Sequence, residues 1–264
     1  MDNNHSKPLQ EAARRAEAIS RSGEYEEFLE GLRQKFPRAF ENLSAGFERD
    51  YLRIVDHHLR HLLPVLQSSL GPDVRRVLDF GCGSGGSAIA LAMVFPEIRC
   101  FGTDIDAEQV SVAWVRAKLY GVGERCQFLP VGENEQLPFP DDSFDFCLCS
   151  SVLEYVTDKD ARKFCVREMA RLIRPGGLLF VSGPNRLYPF EVHSWWNGNP
   201  KWGWNYFPKR LHASTLDLTM WEVQRLARPA ALKLHDTPLI QLFRPWSNFC
   251  LKKVVSRCGK SPAF

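Results

Sequence analysis

The chain has 264 residues, 44% hydrophobic and 25% charged, an ordinary globular composition that excludes wholesale disorder. Its 34 Lys and Arg against 31 Asp and Glu leave +3, which excludes the strong basic surplus of a nucleic-acid binder. No window approaches the roughly 18 consecutive apolar residues of a membrane span.

The opening Met-Asp-Asn-Asn-His-Ser-Lys-Pro lacks the apolar core of a secretory signal. The 8 cysteines are scattered, with no C-x-x-C, and several lie in apolar runs where a thiol packs as a small hydrophobe. Reduced cysteines in a cytoplasmic protein are the expectation. Cys147 and Cys149, two apart on a strand, should share one face as packing.

In chain order, residues 1–36 are polar, with Ala, Glu and Arg over 11–18, and read as a loosely held helical lead-in. A longer helix spans about 40–66, with Phe40, Leu43, Phe47, Tyr51, Leu52, Val55, Leu59 and Leu62 forming one stripe. His57 and His61, four apart on it, could share a metal, but a solvated face is the simpler reading. Gly71-Pro72 ends this region, so 1–70 is read as a helical cap and 71–264 as the main domain.

From Arg75, short apolar runs alternate with helical segments. Strands are predicted at 76–80, 99–103, 126–130, 144–150 and 177–183, and helices at 86–95, 107–120 and 159–173. This alternation predicts an α/β fold: a Rossmann-like, doubly wound, mostly parallel sheet. After Pro184 comes an aromatic, proline-rich insertion, then a helix over 215–226 and strands at 232–235 and within 241–251.

Val77-Leu78-Asp79-Phe80-Gly81-Cys82-Gly83-Ser84-Gly85-Gly86 runs from a strand through glycines into an apolar helix. Such a turn at the carboxyl end of the first strand is where cofactors dock. Gly81, Gly83 and Gly86 satisfy the literal G-x-G-x-x-G of dinucleotide sites. Asp79 argues against that reading, because a carboxylate suits an ammonium group and repels a pyrophosphate. Asp104 closes the second strand, where an acidic side chain can accept from ribose hydroxyls. Asp106 reads as the N-cap of the next helix.

With Glu133-Asn134-Glu135-Gln136-Leu137-Pro138-Phe139-Pro140-Asp141-Asp142-Ser143-Phe144-Asp145, the sequence resembles the class I S-adenosylmethionine-dependent methyltransferases, particularly the small-molecule type. The resemblance covers about 75–182, in blocks at 77–86, 103–106, 133–145, 150–156 and 172–179, with Arg174-Pro175-Gly176-Gly177 before strand five. It implies a seven-stranded sheet whose seventh, antiparallel strand lies at the edge near the C-terminus. It also implies S-adenosyl-L-methionine as cofactor, with S-adenosyl-L-homocysteine as product. Asp79 and the backbone around Gly81, Cys82 and Gly83 would hold the methionine portion. Asp104 would bind the ribose, Ile105 would pack on adenine, and Glu133 and Asn134 would bond to its ring. Ser150 would lie beside the sulfonium. Glu at 133, where the family often has Asp, is a departure.

Methyl transfer needs alignment and, for a hydroxyl or amine acceptor, a base. The catalytic candidates are His193 and Glu154, the latter with a helix-start carboxylate as its structural alternative. Ser150 to Val156 resembles small-molecule members rather than nucleobase or amide methylating ones, and no acidic metal-binding block follows strand four, so no metal is expected. Tyr155, Tyr188, Trp195, Trp196 and Trp202 are read as the acceptor's surroundings. The tryptophan segment could instead pack on the cap or touch a membrane surface, helped by Lys201, Lys209 and Arg210. The function expected is methyl transfer to a small or lipid-like metabolite, with oxygen slightly favoured and no nucleic-acid partner. The alternatives are a non-methylating, cyclase-like user of the same cofactor and a nicotinamide-dependent oxidoreductase.

Overall fold

Strands of three to twelve residues, most of them separated by helices, build one seven-stranded sheet in the computed structural model, which describes residues 6–35, 54–67, 69–185, 219–235 and 246–254. The strands are β1 (Arg76–Phe80), β2 (Arg99–Asp104), β3 (Cys126–Pro130), β4 (Phe144–Ser150), β5 (Ile173–Pro184), β6 (Leu232–Leu234) and β7 (Trp246–Lys253). Their order is β3-β2-β1-β4-β5-β7-β6. Strands β1 to β5 pair in parallel, and β7 runs antiparallel to both β5 and β6. The antiparallel strand therefore lies second from the edge. The central strands are buried on both faces, which is why β1 and β4 read as nearly continuous apolar runs.

Side-chain alternation divides the interior into two cores. On one face, Val77, Phe146, Leu148 and Phe180 meet the N-terminal helices. On the other, Leu78, Cys147, Cys149, Leu179 and Val181 meet two later helices, so the two cysteines do share a packed face.

The helices are α1 (Ser6–Ser20), α2 (Gly23–Lys35), α3, α4 (Gly86–Val94), α5 (Ala107–Leu119), α6 (Lys159–Leu172) and α7 (Met220–Ala227). α3 is three consecutive segments, Ile54–His57, a π-type turn at His58–Leu62, and Leu63–Leu66. Val55, Leu59 and Leu62 of the predicted stripe are buried, while Phe40, Leu43, Phe47, Tyr51 and Leu52 fall outside the described residues. α7 starts at Met220 rather than 215, because Thr219 is extended and forms a reciprocal cap with Glu222.

The lead-in is packed rather than loosely held. Ala12 and Ala16, one turn apart, are 2% and 0% exposed, and such small side chains let α1 lie close on α4. Tyr25 and Leu32 bury the inner side of α2. Cap and sheet thus share a single continuous core. α4 itself has no polar face, so it needs cover on both sides, from the sheet below and the cap above. Gly86 makes the cap's approach possible: a Cβ there would stand 2.4 Å from Ile54 Cγ1 and 2.8 Å from His58 Cδ2.

Arg171 of α6 pins the proline-bounded loop before β4. It donates to the carbonyls of Leu137 and Phe139 and pairs with Glu168 and Asp141, while Glu168 accepts from the Leu137 N–H. Much of the 133–145 block is therefore structural.

Candidate active site

The sheet order reverses between β1 and β4, whose neighbouring carboxyl ends leave the crevice where open α/β sheets bind ligands. The turn after β1 is anchored by main chain: the N–H groups of Gly81 and Cys82 both donate to the Thr103 carbonyl, at 2.8 and 2.9 Å. Gly81 has φ 75°, and a Cβ there would stand 2.4 Å from Val152 Cγ2, so glycine is required twice over. Val152 belongs to the turn after β4, which seats that turn directly on the first one. Gly83, by contrast, faces open space. Cys82 offers only its backbone, since its side chain turns inward onto Gly102 and burial pushes its thiol pKa well up.

Asp79 is 1% exposed, and its carboxylate accepts from the Ser87 hydroxyl and the Ala88 N–H. It thereby caps α4 at the Ala88 N–H and holds the Ser87 side chain, and burial pushes its pKa up to about 7 against the pull of those bonds. Its described bonds run to the helix, not to the cleft. Asp104 is half-buried at the end of β2; Oδ2 accepts from the Gly83 N–H at 2.7 Å and Oδ1 from the Asp106 N–H at 3.0 Å. Asp106 caps α5 through the N–H groups of Glu108 and Gln109, as its position predicted. Beside them Ile105 is 60% exposed, a large apolar side chain held in water at the rim. Glu133 and Asn134 are exposed in the turn after β3, with Asn134 at φ 58°.

Ser150 is half-buried at the end of β4, level with Ser182 of β5. Glu154 is not a helix-start carboxylate: α6 begins five residues later and is capped by Asp158, which accepts from the Asp160 and Ala161 N–H groups. Glu154 is 2% exposed and packs on β5, where a Cβ on Gly183 would stand 3.2 Å from Oε2. Glu154 lines a cavity of about 10 Å³, with Leu153, Val181, Ser182, Gly183, Pro184 and Phe249. Tyr155, next in the chain, is exposed. His193, Tyr188, Trp195, Trp196 and Trp202 lie outside the described residues.

The structure therefore gathers Gly81, Gly83, Asp104, Ile105, Ser150 and Glu154 around the ends of β1, β2, β4 and β5. A family described as a methyltransferase domain matches residues 78–181, which run from β1 into β5. Residues 78–181 are a class I S-adenosylmethionine-dependent methyltransferase domain. The chain is 34% identical over 137 residues to norajmaline N-methyltransferase of Rauvolfia serpentina, covering 52% of this chain and 44% of the relative. It is 33% identical over 147 residues to demethylmenaquinone methyltransferase of Geobacillus kaustophilus, covering 55% and 61%. The chain thus spans about half the length of these curated relatives. The chain also shares its fold with the [4+2]-cyclase SpnF, at TM-score 0.57 and 19% identity over 76% of this chain and 83% of that one.

The third glycine of the dinucleotide-like pattern has a local explanation in the methyltransferase domain, since Gly86 receives the cap. Three contributors escaped the sequence reading. Thr103 acts through its carbonyl, which no side-chain pattern announces, and Val152 through shape alone. Arg116 of α5, 1% exposed, donates to the Ser84 carbonyl at 2.6 Å. It was visible as a charge on the stripe Val112, Ala113, Ala117 and Tyr120.

Proposed function

We propose that this chain binds S-adenosylmethionine in the crevice and transfers its methyl group to a small molecule. The observation that carries the reading is the Asp104 carboxylate, joined to the open glycine turn and flanked by exposed Ile105. A carboxylate has about four lone-pair positions, and Asp104 uses two on main-chain N–H groups, leaving room for a ribose diol. Ile105 offers an apolar face to the adenine, with Glu133 and Asn134 at its edge. Gly83 lets the methionine end approach the backbone without a Cβ in the way. Asp79 supports that end indirectly, by capping α4 behind the turn.

The bound cofactor supplies the activated methyl group. The protein's part is to align the acceptor and to take its proton. Glu154 is the described candidate base, at the foot of the β4 and β5 ends, and His193 is the other. The relatives' named acceptors, norajmaline and demethylmenaquinone, are small organic molecules, which supports a small or lipid-like acceptor here. Oxygen was the reading from sequence; the N-methyltransferase relative gives an amine equal standing, and both need the base. The proposal includes the division into cap 1–70 and catalytic unit 71–264, a cytoplasmic setting, and an acceptor pocket walled by Tyr155, Tyr188 and the tryptophan segment. Among the described residues no helix is long and apolar enough to cross a membrane.

The first test is calorimetric titration with S-adenosylhomocysteine and, in parallel, NAD. Micromolar binding of the former alone supports the reading, and binding of NAD alone overturns it. Asp104→Ala removes two charge-assisted bonds, about 3 kcal/mol, and weakens S-adenosylhomocysteine roughly 100-fold. Unchanged affinity in this variant would move the ribose site elsewhere.

A further inference from the structure

Arg116 stands where the inward stripe of α5 calls for an apolar residue. A guanidinium out of water is tolerated only when something in the protein uses its donors. Here Nη1 holds the Ser84 carbonyl at 2.6 Å, and Ser84 lies between the two positive-φ glycines 83 and 85. The guanidinium carbon lies 5.8 Å from the ring centroid of Phe28, on α2. On the far side of the same turn, Ile54 and His58 of α3 press on Gly86. His58 Nδ1 is shut off from solvent, and desolvation, aided by His57 and Arg116, pushes the ring's pKa down to about 3. The imidazole is therefore neutral and adds no second positive charge beside the guanidinium. Thr103 and Asp104 grip the turn from β2, Arg116 grips it from α5, and the cap roofs both.

We propose that Arg116 is a positioning residue for the cofactor turn, and that the cap acts on cofactor affinity through it. Phe28 and α3 cover the guanidinium and keep water from competing for the Ser84 carbonyl. Holding that carbonyl fixes the Ser84–Gly85 peptide plane, whose Gly85 N–H donates to the Cys82 carbonyl at 2.9 Å, and the Cys82–Gly83 plane so restrained carries the Gly83 N–H that donates to Asp104. The inference rests on the reading of this turn as the S-adenosylmethionine site. It goes beyond that reading by tying α2 and α3, which the family match at 78–181 does not include, to cofactor binding.

The test compares S-adenosylhomocysteine affinity and thermal midpoint in the full chain and four variants, well below each midpoint. Arg116→Met, similar in bulk but without donors, should bind at least tenfold more weakly. Arg116→Lys, which keeps a charge and a donor, should recover a substantial part of that loss. Phe28→Ala, which opens the roof at a half-buried position, should weaken binding three- to tenfold. Met169→Ala, on the opposite face of the sheet, should lower the midpoint and leave affinity within twofold. If Arg116→Met and Phe28→Ala match the wild type in affinity while their midpoints fall, Arg116 is packing and the proposal is wrong. Should Arg116→Met not fold, unchanged affinity in Phe28→Ala overturns it equally. A wild-type protein that binds no S-adenosylhomocysteine refutes the cofactor reading itself, a result distinct from tight wild-type binding that the variants fail to disturb.

Discussion

The two faces of the sheet are covered by helices of opposite character. α4, Gly-Ser-Ala-Ile-Ala-Leu-Ala-Met-Val, has no charged residue, and all nine of its residues are buried. α6 has seven charged residues among fourteen and buries six positions, so it is the outermost layer on its side. Even their caps differ. Asp158 caps α6 at the exposed surface, whereas Asp79 caps α4 from inside the protein. A helix with a polar stripe ends a fold, and one without it demands another layer. The N-terminal cap meets that demand, and in doing so it comes to rest on the turn that builds the crevice.

The sharpest probe of this contrast is pH. Asp79 has a folded pKa raised to about 7 from an ordinary 3.8, so the folded state holds its proton more tightly than the unfolded chain. Its contribution to stability is therefore lost as pH rises from about 4 to 7, by on the order of 4 kcal/mol. Asp79→Asn should lack this slope: urea unfolding at pH 5, 6, 7 and 8 should show wild type losing ground to the variant. A constant difference across that range would mean that Asp79 titrates normally.

Next in size, Leu63→Ala cuts into the layer over α4. Leu63 is 0% exposed, and the variant should lose about 3 kcal/mol, lowering the thermal midpoint by roughly 10 °C. A drop under about 2 °C by calorimetry would show that the cap contributes little to the core. The smallest effect belongs to the open face. Lys163 pairs with Asp160 at 2.8 Å, but both side chains are more than half exposed, so Lys163→Ala should change stability by less than about 0.5 kcal/mol. A larger loss in urea titration would mean that α6 is not the outer layer.

Much of this was legible beforehand, and the reasons are physical. The strands β1 to β5 were placed to within a few residues because glycines, prolines and capping aspartates punctuate them. The glycine turn, Asp104 and Asp106 were readable because their work depends on residue type. Glu154 was harder, since it lies in a short turn with no period to say which way a side chain faces. It points inward, while Tyr155 points out. The lead-in looked loose because its buried residues include two alanines, which carry little hydropathic signal but permit close helix packing. Arg116 carried no such signal, because a charge on a helix is ordinarily a surface residue. The place of β7 inside the edge depends on pairing partners, which no single strand's pattern encodes.

That placement bears on how the protein is made. β7 pairs with β5 on one side and β6 on the other, joining Leu179 to Leu251 and Leu234 to the same residue. On the ribosome, β6 emerges before its strand partner β7 exists, and the open flank of β5 waits with it. Synthesis at about 5–20 residues per second leaves that flank unpaired until Trp246–Lys253 clears the exit tunnel. Folding of this half of the sheet is accordingly closed by the insertion of one strand between two that were made before it.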